Sequence, residues 1–210
     1  MSKLVIVDDH AMLREGLKSK FSECADIEVV GEAGSCEELF ALLGQQHADV
    51  VLLDIKLPDC NGVGAIQRIK AAHPRCKVVI LTMYDHVRYA LHALESGADG
   101  YIVKGSPFEE LIQAVRDVRR NRTYVSAAVA PKLIDRFKRG KHKTSLDALS
   151  PREFESLTIL SSGLSLKEAA ERMGVSEKTV STYRARFMEK LNLSNNTDLI
   201  RFALETGLLD

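Results

Sequence analysis

The sequence lacks the features that mark membrane proteins, secreted proteins and zinc ribbons. No apolar run in its 210 residues approaches the roughly 20 residues that a membrane-spanning helix requires. Its first residues, Met1-Ser2-Lys3-Leu4, pass directly into a strand-like segment without a signal-peptide layout. The four cysteines form no C-x-x-C pair, which argues against a zinc site and against a secreted disulfide scaffold: Cys24, Cys36, Cys60 and Cys76. We therefore expect a cytoplasmic protein with no membrane partner, whose thiols are buried or incidental.

The sequence also lacks a net charge, because 29 basic residues balance 29 acidic ones. The distribution is nevertheless uneven, since residues 121–146 hold seven basic residues and one acidic residue. A basic segment is usually solvated surface, but it could also contact the phosphates of a nucleic acid. The hydrophobic content of 45% fits globular folding rather than disorder.

Residues 1–120 alternate between strand-like and helix-like segments. Apolar runs predict five strands: Leu4–Val7, Ile27–Ala33, Asp49–Asp54, Lys77–Thr82 and Asp99–Lys104. Each run is followed by helical spacing, and Ser35 with Glu38 predicts a capping box at the start of the second helix. Five such repeats imply a parallel sheet with helices on both faces. We predict an α/β domain with a five-stranded, doubly wound parallel sheet.

Charged and polar residues stand at the ends of the predicted strands. Asp8 and Asp9 follow the first, Asp54 ends the third, Thr82 ends the fourth and Lys104 ends the fifth. The carboxyl ends of parallel strands share one edge of the sheet, so these side chains should meet there. Close carboxylates repel by about 4 kcal/mol per pair in a protein-like dielectric. A hard divalent cation, with Mg²⁺ the best fit, and the ammonium group of Lys104 would compensate this repulsion.

These residues resemble the receiver domain of two-component response regulators. The matching residues are Asp8-Asp9, Asp54 with Pro58 and Gly62, Thr82, and Lys104 preceded by Gly100-Tyr101. The resemblance implies a flavodoxin-like fold in which Asp54 accepts phosphate from a partner sensor histidine kinase. It also implies that Asp9, Asp54 and the backbone carbonyl of Lys56 ligate Mg²⁺, with Asp8 acting largely through water.

The same resemblance assigns roles to three further residues. Lys104 would pair with the acyl phosphate, and Thr82 would move to hydrogen-bond to it. Tyr101 would turn inward as a switch, although an aromatic ring lying on the sheet surface is an equally good interpretation. Met83 is bulkier than the small residue usual in the family at that position, and the cation of Lys56 is also a departure; either could alter the lifetime of the phosphate. The chemistry is confined to Asp54 itself, so the protein is not expected to be an enzyme.

Residues 121–146 are predicted to be a linker. The spacing of its apolar residues favours one amphipathic helix, formed by Ser126, Val129, Leu133, Ile134 and Phe137. Lys138–Lys143 would be the flexible part. We expect a tether that packs loosely on one domain; the alternative is a relay that releases the second half of the chain when the first is modified.

Residues 147–210 have an all-helical pattern with repeated serine caps. Ser150 and Ser165 each precede a glutamate by three residues, and Ser176 opens a third helix. A helix, a short turn with Gly174 and another helix predict a helix-turn-helix in a four-helix domain. One face of the third helix, over residues 177–191, is apolar and should pack inward: Val180, Tyr183, Phe187 and Leu191. Its opposite face, which carries cations and short side chains, suits a major groove.

This half resembles the LuxR-type DNA-binding domain, so the chain resembles the NarL/FixJ class of response regulators along almost all its length. The motifs are Ser150-Pro-Arg-Glu153, Gly163-Leu-Ser165 and Ser176-Glu-Lys-Thr-Val180. The resemblance implies that three residues face bases in double-stranded DNA and three hold phosphates: Ser181, Thr182 and Ala185, then Lys178, Arg184 and Arg186. It also implies a homodimer on DNA, through an exposed stripe of the fourth helix with Leu199 and Ala203.

Three functions fit these observations. The first is a transcriptional regulator controlled by phosphorylation of Asp54. The second is a constitutive DNA-binding regulator whose receiver serves only dimerisation. The third is a Mg²⁺-dependent phosphate-ester hydrolase, which is disfavoured because such enzymes typically place a second acid two residues after the nucleophile, where this chain has Lys56.

Overall fold

The chain folds into two compact units, Met1–Lys138 and Arg139–Asp210. The structure is a computed structural model, and it describes residues 1–60, 62–138, 145–206 and 208. Within these residues, no helix combines the length and the apolar character that crossing a membrane demands.

The first unit is a parallel sheet covered by helices on both faces. Its strands are β1 (Ser2–Val7), β2 (Ile27–Ala33), β3 (Val50–Asp54), β4 (Lys77–Thr82), β5 (Gly100–Val103) and β6 (Tyr124–Val125). Its helices are α1 (Ala11–Phe21), α2 (Cys36–Gln45), α3 (Gly62–Ala72), α4 (Val87–Glu95), α5 (Phe108–Arg119) and α6 (Ala130–Lys138). The strand order is β2-β1-β3-β4-β5-β6, with all neighbours parallel. The chain therefore reverses its winding between β1 and β3, which creates a crevice at their carboxyl ends.

Alternation along the strands divides their side chains between two cores. Val5 and Val7 of β1 pack on one face of the sheet, whereas Leu4 and Ile6 pack on the other. All five residues of β3 are buried, because this strand is covered on both faces. Central strands of this kind hold their terminal residues in fixed positions, and Asp54 is the last residue of β3.

The sheet has six strands, one more than the five predicted. The sixth strand consists only of Tyr124 and Val125, which pair with Gly100 and Tyr101. Two residues are too few to produce a periodic pattern. Helix α6 lies where the amphipathic spacing predicted a helix. It also belongs to the first unit.

Val129 and Leu133 of the predicted linker are buried in the same cluster as Tyr101. Residues 124–138 are thus an integral part of the α/β unit. The flexible segment predicted over Lys138–Lys143 lies, beyond Lys138, outside the described residues.

The second unit is helical. After a 3-10 helix over Ser145–Ala148, it contains α7 (Pro151–Ser161), α8 (Leu166–Met173), α9 (Glu177–Lys190) and α10 (Asn196–Glu205). Complete capping boxes open α7 and α8, as predicted from Ser150 and Ser165. Gly174 ends α8 with a φ of 63°, a left-handed conformation that favours glycine, and α9 begins three residues later.

The capping box predicted for α2 is only half formed. Ser35 accepts a hydrogen bond from the backbone N–H of Glu38, as expected. The carboxylate of Glu38, however, accepts from the backbone N–H of Gly34 rather than from that of Ser35.

Candidate functional site

Asp8, Asp54 and Lys104 meet at the carboxyl edge of the sheet, as the strand pattern predicted. Lys104 Nζ lies 2.6 Å from Oδ2 of Asp8 and 2.6 Å from Oδ2 of Asp54. Both carboxylates are buried, with relative exposures of 1% for Asp8 and 4% for Asp54. One ammonium group therefore bridges acids that come from two adjacent strands.

The loop after β3 is built tightly against Asp54. The backbone N–H of Lys56 donates to Asp54 Oδ1 at 3.2 Å, and the backbone N–H of Gly62 donates to the carbonyl of Ile55 at 2.8 Å. A Cβ at position 62 would collide with the backbone carbonyl of Asp54 and lie 2.8 Å from Cα of Ile55. Glycine is thus required at position 62 because another part of the backbone occupies the space of a side chain.

His10 joins the acidic cluster, although it was not predicted to belong to the site. Its Nδ1 lies 3.0 Å from Asp8 Oδ1 and 2.7 Å from Asp9 Oδ1, and its backbone N–H donates to Asp8 Oδ1. The side chain is 69% exposed. Its position directly after Asp8-Asp9 was the available signal, since an imidazole there can contact both carboxylates.

Lys104 compensates the negative charge of the buried carboxylates only in part. Burial raises the pKa of Asp54, although the hydrogen bond and the charge of Lys104 oppose this effect. For Lys104, burial disfavours the ammonium group, but hydrogen bonds to Asp54 and Asp8 outweigh it and raise the pKa. Lys104 is therefore firmly cationic, whereas Asp54 carries a charge that burial disfavours.

The donor atoms of the cluster fit a hard divalent cation. Asp8, Asp9, His10 and Asp54 each offer a ligand atom within 4.8 Å of the others. Carboxylate oxygens are the preferred ligands of Mg²⁺. A cation here would favour the ionised form of Asp54 and relieve the imbalance.

Thr82 and Tyr101 converge on Tyr84 in the loop after β4. Thr82 is 1% exposed, and its Oγ1 accepts from the backbone N–H of Tyr84 at 3.3 Å. The Tyr101 ring is fully buried, so the ring points inward. Burial raises the pKa of its phenol. The intervening Met83 is 72% exposed, so its bulk is directed largely to solvent.

The third helix of the second unit presents the expected polar face. Five of the six residues predicted to contact DNA are exposed: Lys178, Ser181, Thr182, Ala185 and Arg186. Arg184 is half-buried, and its guanidinium donates to Asn196 Oδ1 at 2.8 Å. On the opposite face Val180 and Phe187 are fully buried.

An ion pair between Lys190 and Glu153 joins α9 to α7. Lys190 Nζ lies 2.6 Å from Glu153 Oε2, and the same oxygen accepts from the backbone N–H of Ser150 at 2.7 Å. The Glu153 carboxylate is almost completely buried. The acid that caps α7 thus also fixes the position of the helix with the exposed polar face.

The expectation that Leu199 and Ala203 form an exposed stripe on α10 was wrong. Leu199 and Ala203 are 2% and 0% exposed, because they pack into the core of the helical unit. The exposed apolar residues of this helix are Ile200 and Leu204, at 43% and 54%. The helical spacing was correct, but the phase of the exposed stripe was off by one residue.

The expectation of incidental thiols was wrong for two of the four cysteines. Cys36 and Cys60 are joined in a disulfide, whereas Cys24 and Cys76 are free. Asp59 lies beside the pair, so the same residues form a second group of potential metal ligands. Burial raises the pKa of the Cys76 thiol to about 11, which makes it unreactive.

The fold and the site define a two-part signalling protein, in which an acidic α/β domain precedes a helix-turn-helix domain. Residues 4–116 match the model of the response regulator receiver domain, and residues 147–203 match that of the bacterial regulatory proteins of the luxR family. The chain belongs to the response regulators that combine a receiver domain with a LuxR-type domain.

Relatives match along the whole chain. The oxygen regulatory protein NreC of Staphylococcus carnosus is 38% identical over 99% of both chains. The response regulator GacA of Pseudomonas aeruginosa is 31% identical over 100% of this chain and 99% of its own. A structure of the Salmonella typhimurium RcsB response regulator aligns with a TM-score of 0.74 and 23% identity over 98% of each chain. At that identity the likeness to RcsB shows the fold alone.

Proposed function

We propose that this protein is a cytoplasmic, DNA-binding transcriptional regulator, controlled by phosphorylation of Asp54 by a sensor histidine kinase. The observation that carries the proposal is the position of Lys104 Nζ, 2.6 Å from both Asp8 and Asp54. An ammonium group bridging two buried carboxylates is placed to pair with an anionic group on either of them. Residues 1–120 would form the phosphoacceptor part of the receiver and 147–210 the DNA-binding domain. Residues 121–146 would connect them, with residues 124–138 packed into the first unit.

The acceptor chemistry requires a nucleophile and compensation of charge. The Asp54 carboxylate would attack the phosphorus atom of the phosphodonor, and the former donor would leave with the bonding electron pair. Mg²⁺ supplies neutralisation of the phosphoryl oxygens when it is bound. Asp9 and Asp54, with the carbonyl of Lys56, would hold it directly, and Asp8 would act through water.

The residues around the acceptor would then stabilise and report the phosphate. Lys104 would exchange part of its contact with Asp54 for the phosphoryl oxygens. Thr82 would leave the backbone of Tyr84 and donate its hydroxyl to the phosphate, which would alter the loop that also binds Tyr101. Such coupling is typically worth about 1 to 3 kcal/mol, so we expect DNA affinity to change by about 5- to 150-fold.

The exposed face of α9 would enter the major groove of double-stranded DNA. Ser181, Thr182 and Ala185 would approach base edges, and Lys178 and Arg186 would hold phosphates. Arg184 would reach a phosphate while contacting Asn196, or would only orient the start of α10. RcsB, which shares the fold, has been solved bound to promoter DNA in the presence of the phosphomimetic BeF₃⁻, and as dimers on DNA.

Dimerisation on DNA would use Ile200 and Leu204 instead of the buried Leu199 and Ala203. These two exposed apolar residues are one helical turn apart on α10, so they form one stripe. Pairing with a second copy around a twofold axis would cover the stripe on both chains.

Phosphorylation is tested by incubating the full chain with Mg²⁺ and acetyl phosphate. Mass spectrometry should find one phosphoryl group on the wild type and none on Asp54→Asn. The matched control Asp9→Asn removes a neighbouring acid, and should still be labelled, but only at higher Mg²⁺ concentration. A label retained by Asp54→Asn would contradict the assignment.

DNA binding is tested by its dependence on salt. Lys178→Ala should weaken binding to all sequences and lower the slope of log K against log salt by about 1. Arg201→Ala is the control, since Arg201 is an exposed cation on α10 that pairs with Asp198. Equal effects of both variants would place the DNA elsewhere.

Measurements of DNA binding also distinguish the phosphorylation-controlled regulator from the constitutive alternative. The inward position of Tyr101 is the observation that favours it, because the ring already occupies the position that phosphorylation is expected to induce. DNA affinity and oligomer mass that stay unchanged in Asp54→Asn and after phosphodonor treatment would favour constitutive binding. Multiple turnover of a small phosphoester would instead revive the hydrolase.

A further inference from the structure

Cys36 and Cys60 are held together by more than their own sulfur atoms. Their Cα atoms lie 6.1 Å apart, within the range of about 4.4 to 6.8 Å that a disulfide can span. Cys60 belongs to the loop that follows Asp54, and Cys36 is the first residue of α2. These two segments are otherwise 24 residues apart in the chain.

Asp59 connects the same two segments without a covalent bond. Its Oδ1 accepts from the backbone N–H of Cys36 at 2.8 Å, and its Oδ2 accepts from that of Glu37 at 2.9 Å. Two of the free N–H groups at the start of α2 are thus satisfied by a residue next to Cys60. These hydrogen bonds involve no sulfur atom, so we expect them to persist on reduction and to keep the two thiols facing each other.

We propose that Cys36 and Cys60 are a reversible redox modification site that fastens the loop after Asp54 to α2. The pair differs from the other two cysteines, which are free. Disulfides in a reducing compartment are usually transient and redox-sensing rather than structural. The predicted cytoplasmic location would make this pair a sensor of oxidising conditions.

The oxidant is a low-molecular-weight disulfide. Cys60 is half-buried whereas Cys36 is 3% exposed, so the Cys60 thiolate attacks first. Its sulfur bonds to one sulfur of the oxidant, and the other leaves as a thiolate. The Cys36 thiolate then attacks the Cys60 sulfur and releases the second thiolate. The two cysteines lose two electrons, the oxidant gains them, and the two cysteine protons pass to the released thiolates.

A metal site is the competing interpretation of the same residues. Cys36, Asp59 and Cys60 could supply three ligands within 4.8 Å of one another. Both oxygens of Asp59 already accept hydrogen bonds from the start of α2, so only the two sulfurs are uncommitted. Two thiolates fall short of the four ligands of a structural zinc site.

Oxidation would restrict the loop that carries Lys56, whose backbone contacts Asp54. Cross-linking two distant segments stabilises a fold chiefly by limiting its unfolded states. We expect the oxidised receiver unit to melt about 3 °C or more above the reduced one. The consequence for phosphate acceptance depends on the function proposed above, whereas the disulfide itself does not.

The test starts from the reduced full chain, treated with oxidised glutathione under denaturant-free conditions. Peptide mapping should find a Cys36–Cys60 cross-link with two free thiols remaining, and dithiothreitol should restore all four. Cys60→Ser should abolish the cross-link and the rise in melting temperature, whereas the matched control Cys24→Ser should preserve both. Four free thiols in the treated wild type, or a cross-link through Cys24, would overturn the proposal.

A second measurement distinguishes a metal site from a reversible disulfide. The reduced wild type is mixed with Zn²⁺, dialysed and then oxidised. Oxidation that proceeds at an unchanged rate supports the redox site. Retention of one zinc ion that protects both thiols from oxidation would instead show that the two cysteines form a metal site. Neither measurement requires Asp54 to be phosphorylated, so a failure here would leave the proposed function intact.

Discussion

The hydroxyl of Tyr101 donates a hydrogen bond to the backbone carbonyl of Tyr84 at 2.6 Å. The backbone N–H of Tyr84 in turn donates to Thr82. The backbone N–H and carbonyl of Tyr84 therefore each form a hydrogen bond with one of the two proposed switch residues. Tyr101 also packs in the cluster that contains Val129 and Leu133 of the α6 region. A displacement of Thr82 would therefore be transmitted through Tyr84 to the ring and to the start of the linker.

Tyr101→Phe tests this connection. The variant removes the hydroxyl but keeps the ring, and it leaves the carbonyl of Tyr84 without that donor. We expect a loss of about 1 kcal/mol in the free energy of unfolding. Phosphorylation of Asp54 should persist, but its effect on DNA affinity should shrink. Tyr124→Phe, at a half-buried position on β6, should change neither quantity, and equal coupling in Tyr101→Phe and wild type would exclude this route.

Asp54→Asn should stabilise the receiver unit at neutral pH when Mg²⁺ is absent. Because burial raises the pKa of Asp54, its ionised form destabilises the folded state above the unfolded pKa, and stability increases as the pH falls through the folded pKa. Removing the charge should gain about 1 kcal/mol at pH 7, with the gain shrinking toward pH 3. Thermal unfolding across that range checks the sign.

Mg²⁺ should make the wild type more stable than Asp54→Asn, which reverses the order expected without the ion. A ligand that binds only the folded state at tenfold its Kd contributes about 1.4 kcal/mol. The wild type, with Asp9 and Asp54 as ligands, should gain this amount in a Mg²⁺ titration followed by calorimetry. Asp54→Asn should gain much less, and an equal gain in both proteins would show that the ion binds elsewhere.

Gly62→Ala should disrupt the site through the backbone. Its Cβ would collide with the carbonyl of Asp54 and with Cα of Ile55, and neither can yield without moving the acceptor. We expect a loss of about 1 to 3 kcal/mol in stability, with slower phosphorylation. Gly64→Ala is the matched control in the same helix, because a Cβ there would meet no atom within 4 Å apart from its chain neighbours and the backbone of its own helix. Chemical denaturation should show Gly64→Ala to be neutral or slightly stabilised.

The Lys190–Glu153 pair should make the helical unit sensitive to acid. Burial raises the pKa of Glu153, but hydrogen bonds from Lys190 and Ser150 outweigh it and lower the pKa below its ordinary value of 4.5. A lowered folded pKa gives stability that is present above the unfolded pKa and lost as the pH falls through the folded value. Glu153→Gln should therefore cost about 1 to 2 kcal/mol at pH 7 and little near pH 3. Calorimetry of the full chain measures the loss of stability at each pH. Glu171→Gln, at an exposed position, is the control.

Local patterns predicted most of the elements, and contacts between distant residues account for the errors. The spacing of apolar residues located β2 over Ile27–Ala33 and β4 over Lys77–Thr82 with the observed bounds. Strand β6 was missed because its two residues are defined only by pairing with β5. On α10 the periodicity indicated a stripe, but packing in the unit buried Leu199 and exposed Ile200.

The sequence by itself determined the alternation of strands and helices, the capped helix-turn-helix and the set of acids at strand ends, because each depends on neighbouring residues and on the geometry of parallel strands. Only the tertiary structure decided that Lys104 bridges Asp8 and Asp54, that His10 joins them, and that Cys60 meets Cys36. These are contacts between side chains whose directions depend on how loops pack, and loop packing has no periodic signature in the chain.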